Sequence, residues 1–447
     1  MTHKPELLSP AGTLKNMRYA FAYGADAVYA GQPRYSLRVR NNDFGLENLA
    51  IGIDEAHQQG KKFYIAANIA PHNAKIKTFI DDIARVIALN PDALIMSDPG
   101  LIMMVRDKWP EQEIHLSVQS NVTNYASVEF WRRQGIARII LSRELSIEEV
   151  GEIKAQSPEM ELEIFVHGAL CIAYSGRCLL SGYFNRRDPN QGTCTNACRW
   201  KYDLHEAEQT TSGDIIPVVN DVEKINPNDS TMTHQPSDDA MYMIQEAHRP
   251  GEYMPIYEDE HGTYIMNSKD LRAVQHVATF VNQGIDSLKI EGRTKSHYYV
   301  ARTAQVYRRA IDDAVNKASF DRNLMDDLEK LASRGYTEGF YRRHVHDEYQ
   351  NYQQGHSTSV SHQFVGEVLD FNTHNQELTI DVKNQFAVND RLELLTPQGN
   401  YPFTLNTMMN TQGKSIQRAP GSGHKVKITL PFEAEISPHA LLCRDLQ

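Results

Sequence analysis

Four of the chain's five cysteines fall in one short window: Cys171, Cys178, Cys194 and Cys198. Gathering thiolates costs free energy, because like charges repel and exposed thiols oxidise. Such a cluster calls for a metal, a disulfide pair or a reactive site, and a reducing compartment favours the metal. The spacing is Cys171-x6-Cys178, then fifteen residues, then Cys194-x3-Cys198. Zinc ribbons favour a two-residue gap within each pair, which neither gap matches. Cubane iron–sulfur clusters tolerate more varied spacing, because their ligands splay around a larger object. Gly168, Gly176, Gly182 and Gly192 stand where the chain must bend around such an object. The residues alone leave three states open: an iron–sulfur cluster, zinc, or no metal. With all four thiolates ligating, a four-iron cluster has no vacant iron and serves electron transfer or structure; loss of one thiolate opens an iron to an oxygen ligand. Cys443 stands apart and is expected to be a packed thiol, with a remote ligand role as the alternative. A second chemistry takes His167 and Cys171 as the base and nucleophile of a hydrolase, which leaves three cysteines unused. The chain has no HExxH, serine-elbow, Walker or GxGxxG motif.

The elements around this window alternate between strand and helix. Apolar runs at 6–8, 27–30, 62–66, 93–96, 114–118, 138–141, 162–166 and 287–290 predict eight strands, with helix patterns such as 75–89 and 127–134 between them. Alternation of this kind predicts an α/β fold with a parallel sheet. Eight repeats point to a (β/α)8 TIM-like barrel, an open doubly wound sheet being the alternative. The residues after each run are polar or glycine, among them Asn68, Gln119, Arg143, His167 and Arg293. A barrel keeps its active site at that end of its strands. The cysteine window therefore opens a long insertion after strand seven, about 171–264, whose stretch 209–249 is expected to be weakly structured. Helix patterns follow at 298–316 and 323–331. From Phe364 onward, short alternating strands separated by Gly, Asn, Asp and Pro turns predict a small C-terminal all-β barrel domain. The expected layout is a catalytic barrel over 1–350, a linker over 351–363 and the β domain over 364–447.

With 447 residues, 41% of them hydrophobic, the chain can bury a large core. A net charge of −11 argues against broad nucleic-acid binding but allows a local basic face. Recurring arginines such as Arg302, Arg308 and Arg309 read as surface and ion-pair residues. No apolar run reaches a membrane span, and the N-terminus lacks the apolar core of a signal peptide. A cytoplasmic location, with no membrane partner, is the expectation.

At the cysteine window the chain resembles the U32 family, often labelled collagenase-like peptidases. The family pattern Glu-x-Phe-x-x-Gly-(Ser/Ala)-x-Cys, then Gly-x-Cys-x-x-Ser, stands here as Glu163, Phe165, Gly168, Ala169, Cys171, Gly176, Cys178 and Ser181. Leu8–Gly12, Gly24–Tyr29, Ser117–Asn121, Ser287–Arg293 and Gly335–Gly339 also match. The segment from His167 to Trp200 looks closest to the family's tRNA-hydroxylating branch. The resemblance implies an oxygen-independent, prephenate-dependent hydroxylase that forms 5-hydroxyuridine at the wobble position of the tRNA anticodon loop. It implies a [4Fe-4S] cluster on Cys171, Cys178, Cys194 and Cys198, and an electron donor as a further partner. The family label keeps a peptidase using Cys171 and His167 as the alternative. In the hydroxylase reading, His167, Arg143 and Arg293 are catalytic candidates. The two carboxylates of prephenate call for arginines, from Arg143, Arg177 and Arg293, because a guanidinium pairs a carboxylate bidentately. Arg186, Arg187, Arg199 and Lys201 are candidates for phosphate contacts, with Tyr174, Tyr183, Phe184 and Trp200 interleaved to stack on bases.

Overall fold

The computed structural model describes residues 3–32, 34–37, 43–170, 174, 269–331, 335–342, 362–434 and 436–446, together with backbone strands within 202–263. Seven strands alternate with six helices: β1 (Glu6–Pro10), α1 (Leu14–Ala22), β2 (Ala27–Gly31), α2 (Leu46–Gln58), β3 (Lys62–Ala67), α3 (Asn73–Ile87), β4 (Ala93–Met96), α4 (Pro99–Lys108), β5 (Ile114–Leu116), α5 (Tyr125–Arg133), β6 (Arg138–Ile140), α6 (Ile147–Gln156) and β7 (Glu161–Ala169). The insertion contributes β8 (Tyr202–Gln209), β9 (Ile215–Pro217), β10 (Met241–Glu246), β11 (Tyr253–Ile256), β12 (Glu258–Asp259) and β13 (Gly262–Thr263). Then come β14 (Asp270–Arg272), α7 (Val277–Gln283), β15 (Ser287–Ile290), α8 (His297–Val315), α9 (Asn323–Glu329) and β16 (Tyr336–Thr337).

The eight expected strands all form. β15 pairs in parallel with both β1 and β7, so the sheet closes into a barrel and the open-sheet alternative falls away. These strands are buried on both faces, which is why they read as continuous apolar runs. Helix starts are fixed by side-chain caps at Thr13, Asp98, Asn124 and Ser296, and by a full capping box of Ser146 and Glu149. Two features depart from expectation. β9 and β10 lie inside the stretch read as weakly structured, and β8–β11 form a four-stranded antiparallel sheet. The short alternating runs of Tyr202–Gln209 and Met241–Glu246 are strand patterns that the polar composition around them concealed. The second departure is Arg302, read as a surface and ion-pair arginine: it is ion-paired but fully buried.

The C-terminal part is all-β: β17 (His362–Asn372), β18 (Glu377–Val382), β19 (Phe386–Ala387), β20 (Arg391–Thr396), β21 (Gly399–Thr404), β22 (Met408–Asn410), β23 (Arg418–Ala419), β24 (Lys425–Thr429) and β25 (Leu441–Asp445). Seven of them make one antiparallel sheet in the order β21-β20-β25-β17-β18-β24-β22, and β19 pairs with β23. The expected 351–363 linker lies outside the described residues as far as 361. This domain packs on α1 and α8. Arg302 on α8 donates to the Glu393 carboxylate, and Lys330 reaches the same group at 2.7 Å. Tyr23 donates to the carbonyls of Leu395 and His439, each at 2.9 Å. Glu367 gathers Lys15, His297 and Lys383. Cys443 is buried at this junction, where burial pushes its thiol up to about 11. Among the described residues no helix is long and apolar enough to cross a membrane.

The barrel interior is charged where branched apolar side chains are usual. Glu163 on β7 has no exposure. Lys289 on β15 donates to it at 2.7 Å, and Arg138 on β6 lies 3.3 Å from its second oxygen. Arg138 also binds Glu6 at 2.6 Å and Glu161 at 2.8 Å. Burial alone would raise the Glu163 carboxyl, but Lys289 and Arg138 outweigh it and hold the group below the ordinary carboxylate range. Replacing Glu163 by Gln keeps the shape but takes the carboxylate from buried Lys289, while Arg138 keeps Glu6 and Glu161. The expected cost is about 3–5 kcal/mol, read as a lower urea midpoint at pH 7; an unchanged midpoint would show that the network carries no stability.

Candidate active site at the barrel mouth

A cavity of about 100 Å³ opens where the strands end, lined by side chains from the β2, β3, β5, β6, β7 and β15 ends. Cations line the arc from β6 to β15. Arg143 follows β6, donates to the Ala169 carbonyl at 2.7 Å and lays its guanidinium 4.5 Å from the Phe165 ring centre. Arg293 follows β15, donates to Ser36 Oγ at 2.6 Å and lies 5.6 Å from the Tyr29 ring centre. Gly31 makes room for it: a Cβ there would stand 2.5 Å from the Arg293 guanidinium. Lys289 Nζ sits 4.3 Å from the Tyr29 ring centre, above Glu163. Tyr29 in turn donates to the Glu291 carboxylate at 3.0 Å. The remaining arc carries neutral polar groups: Asn68 after β3, and Ser117 and Gln119 after β5. Such a mouth can seat a small acid against its cations and a polar ring against its amides.

His167 does not face this cavity. The β7–β15 ladder pairs Lys289 with Phe165 but Ile290 with His167, so β7 carries one extra residue, Val166. A bulge of this kind re-aims the side chains beyond it. The His167 ring turns to the helix layer, with its centre 5.5–5.7 Å from those of Tyr336, Tyr307 and Tyr299. Its Nδ1 lies 3.4 Å from the Tyr307 hydroxyl, and its Nε2 has no partner among the described residues. Burial drives its pKa down to about 3, so the imidazole is neutral at pH 7. Gly168 follows with φ +101°, and a Cβ there would stand 2.3 Å from the Glu291 carbonyl oxygen. The last residues of β7 then pair antiparallel with β14, Asp270 opposite Ala169. The insertion thus leaves and re-enters the barrel at one point of the mouth.

Of the residues singled out from the sequence, Arg143 and Arg293 come together at the cavity. Cys171, Cys178, Cys194, Cys198, Arg177, Arg186, Arg187, Arg199 and Lys201 lie outside the described residues. Among the described residues no cluster of His, Cys, Asp or Glu is suited to a metal ion. Asn68, Gln119 and Glu291 belong to the polar residues that follow the apolar runs, and they line the cavity too; sequence reasoning missed Lys289 and Ser117, which it read inside strands. A lysine inside the apolar run Ser287–Ile290 was the available signal.

The model of peptidase family U32 matches residues 12–351, and that of the peptidase family U32 C-terminal domain matches residues 360–443. The chain belongs to family U32. Among its U32 relatives is the tRNA hydroxylation protein P of Escherichia coli K12, 61% identical over 99% of this chain and 97% of that one. The protein of the same name from Haemophilus influenzae is 59% identical over 99% and 96%. A 23S rRNA 5-hydroxycytidine synthase of Escherichia coli K12 is 27% identical over 97% of this chain and 60% of that one.

The buried neutral His167 makes stability depend on pH. Its folded pKa lies below the unfolded value of about 6.5, so the unfolded chain binds the extra proton between the two. The contribution is complete above pH 6.5 and lost as pH falls toward 3. Between pH 7.5 and 5 the wild type should lose about 2 kcal/mol more than His167→Phe, from 1.5 pH units at 1.36 kcal/mol each. Urea titrations at the two pH values check this. Equal losses in both proteins would show that His167 takes up its proton as readily in the fold as in the unfolded chain.

Proposed function

We propose that this chain hydroxylates tRNA, forming 5-hydroxyuridine at the wobble position of the anticodon loop with prephenate as co-substrate and without molecular oxygen. The observation that carries the tRNA reading is the 61% identity, over nearly the whole of both chains, to a tRNA hydroxylation protein. The family's reach to a 5-hydroxycytidine synthase supports hydroxylation of a pyrimidine ring. The wobble base lies in a single-stranded loop, so it can be splayed out of its stack into a pocket. The protein would share the cytoplasm with its substrate.

In this reading Arg143 and Arg293 hold the carboxylates of prephenate, and Arg177 assists from the insertion. Both arginines are oriented before the acid arrives, Arg143 by the Ala169 carbonyl and Phe165, Arg293 by Ser36 and Tyr29. Four thiolates, Cys171, Cys178, Cys194 and Cys198, form the donor set that a [4Fe-4S] cluster takes. The Asp270–Ala169 pairing joins the two sides of the insertion that carries them beside the mouth, which fits a cluster held there. Bound there, the cluster would supply single-electron transfer, exchanging electrons with a separate redox partner. His167 shapes the exit of β7 toward Cys171 through the bulge and does not touch substrate. Arg186, Arg187, Arg199 and Lys201 would meet RNA phosphates. A peptidase reading asks His167 to act as a base, and a group buried to a pKa of about 3 is a poor one at neutral pH.

Nucleoside mass spectrometry of tRNA from cells with and without the protein tests the activity. 5-Hydroxyuridine and its derivatives should vanish on deletion and stay absent with Cys171→Ala, although that variant still binds tRNA. Full modification in the Cys171→Ala strain would remove the cluster from the mechanism. Arg293→Met should cut hydroxylation at low prephenate by about tenfold or more, the loss of one charge-assisted contact, and recover partly at high prephenate. No change at low prephenate would free Arg293 from that role.

A further inference from the structure

The neutral arc of the mouth carries a hydrogen-bond chain whose direction is fixed at its first link. The backbone N–H of Leu37 donates to Asn68 Oδ1 at 3.2 Å. A backbone N–H can only donate, so this bond sets the orientation of the Asn68 amide. Asn68 Nδ2 therefore donates onward, to Ser117 Oγ at 3.3 Å. The Ser117 hydroxyl has one proton, and it goes to Gln119 Oε1 at 3.0 Å. Were the Gln119 amide reversed, the Ser117 proton would have no acceptor among the described residues, so Oε1 takes it and Gln119 keeps its two Nε2–H donors, which no acceptor among the described residues takes. Asn68, Ser117 and Gln119 all line the cavity. The free end of the chain is thus a donor.

A donor at this place distinguishes the two pyrimidines. Uracil carries a carbonyl acceptor at C4, beside the C5 position to be hydroxylated, whereas cytosine carries an amino donor there. We infer that Gln119, oriented by Asn68 through Ser117, selects uridine over cytidine by donating to O4. The inference rests on the proposed reading of the site as a tRNA uridine hydroxylase and adds the group that chooses the base. Gln119 and Asn68 come from the β5 and β3 ends, and the carboxylate-binding cations come from β6 and β15. Base and acid would therefore enter one cavity against different arcs. Cytidine presented to this Gln119 would set donor against donor, and rejection of that kind is strong because a buried polar group is left unpaired.

The test measures hydroxylation of two anticodon stem-loops differing only in uridine or cytidine at position 34, with wild type and two variants. Gln119→Glu replaces the donor end by a carboxylate. It should lower uridine hydroxylation by about a hundredfold and narrow the preference over cytidine. Asn68→Asp leaves Gln119 untouched but removes the second donor of the chain. The Ser117 proton then turns to the new carboxylate, Gln119 donates to Ser117 instead, and Oε1 becomes the free end. This variant should also lose uridine preference, by about tenfold or more. A merely structural role for Asn68 would lower activity on both bases and leave their ratio unchanged. Variants that melt as the wild type does yet keep its uridine-to-cytidine ratio would overturn the inference alone. A wild-type protein that hydroxylates neither stem-loop, and whose deletion leaves cellular tRNA unchanged, would overturn the proposed function itself.

Discussion

Glu163 is an anion sealed inside a barrel, and its neutralisation constrains everything around it. A buried carboxylate without partners is far too costly to keep ionised. It is kept by cations from both neighbouring strands, Arg138 on β6 and Lys289 on β15. The β7–β15 contact is where the sheet closes on itself. The ion network therefore spans the closing seam, and a register slip there would break two ion pairs as well as a ladder of backbone bonds. Lys289 has little slack, because burial pulls its own pKa down and Glu163 is the anion that opposes this. Stacked between Tyr29 and Phe165, the same ammonium forms the base of the cavity. Structural charge and candidate active site are thus one column of side chains.

The C-terminal domain is tied to the barrel by the same logic. Arg302 is fully buried on α8, and its ion pair with Glu393 reaches across the domain junction. Burial alone would raise the Glu367 carboxyl, but bonds to His297 and Lys15 outweigh it and hold it well below the ordinary range. Leu395, Leu441 and Cys443 join the barrel's own apolar core rather than the smaller core of the β domain. Removing the domain would uncover apolar surface and take Glu393 from Arg302, leaving it only Asp327 at 3.6 Å. The two parts therefore fold as partners, although their sequences differ in texture at the junction.

Much of the fold was legible, because parallel strands buried on both faces announce themselves as short apolar runs at regular intervals. Arg143 and Arg293 were legible for a related reason: they follow such runs directly, where a barrel exposes its chemistry. His167 followed a run as well, yet one extra residue at Val166 turned it to the other side of the sheet. A period of two leaves no margin for such an insertion, and nothing in Phe165-Val166-His167 announces it. The Glu163–Lys289 pair was hidden because it joins residues 126 positions apart. Arg302 was hidden because sequence gives an arginine its charge but not its partner. The closing β25 strand was hidden because its buried run extends only from Leu441 to Cys443.

The two polar arcs of the mouth share one physical property: their groups are oriented before any ligand is present. Arg143 and Arg293 are held by a carbonyl, a hydroxyl and two aromatic faces, and Gln119 by a chain that starts at a backbone amide. In water such dipoles would have to turn toward each new charge, and the cost of turning would be taken from the rate. Fixed by the fold, such dipoles can meet a charge without reorganising. Folding supplies that order, and the charged interior beneath is what makes it durable. Lys289 and Glu163 fix the base of the cavity, the cavity wall fixes the arginines, and the strand ends fix the amides. A barrel with an ordinary apolar interior would hold the same strands together but would give a polar mouth nothing rigid and charged to stand on.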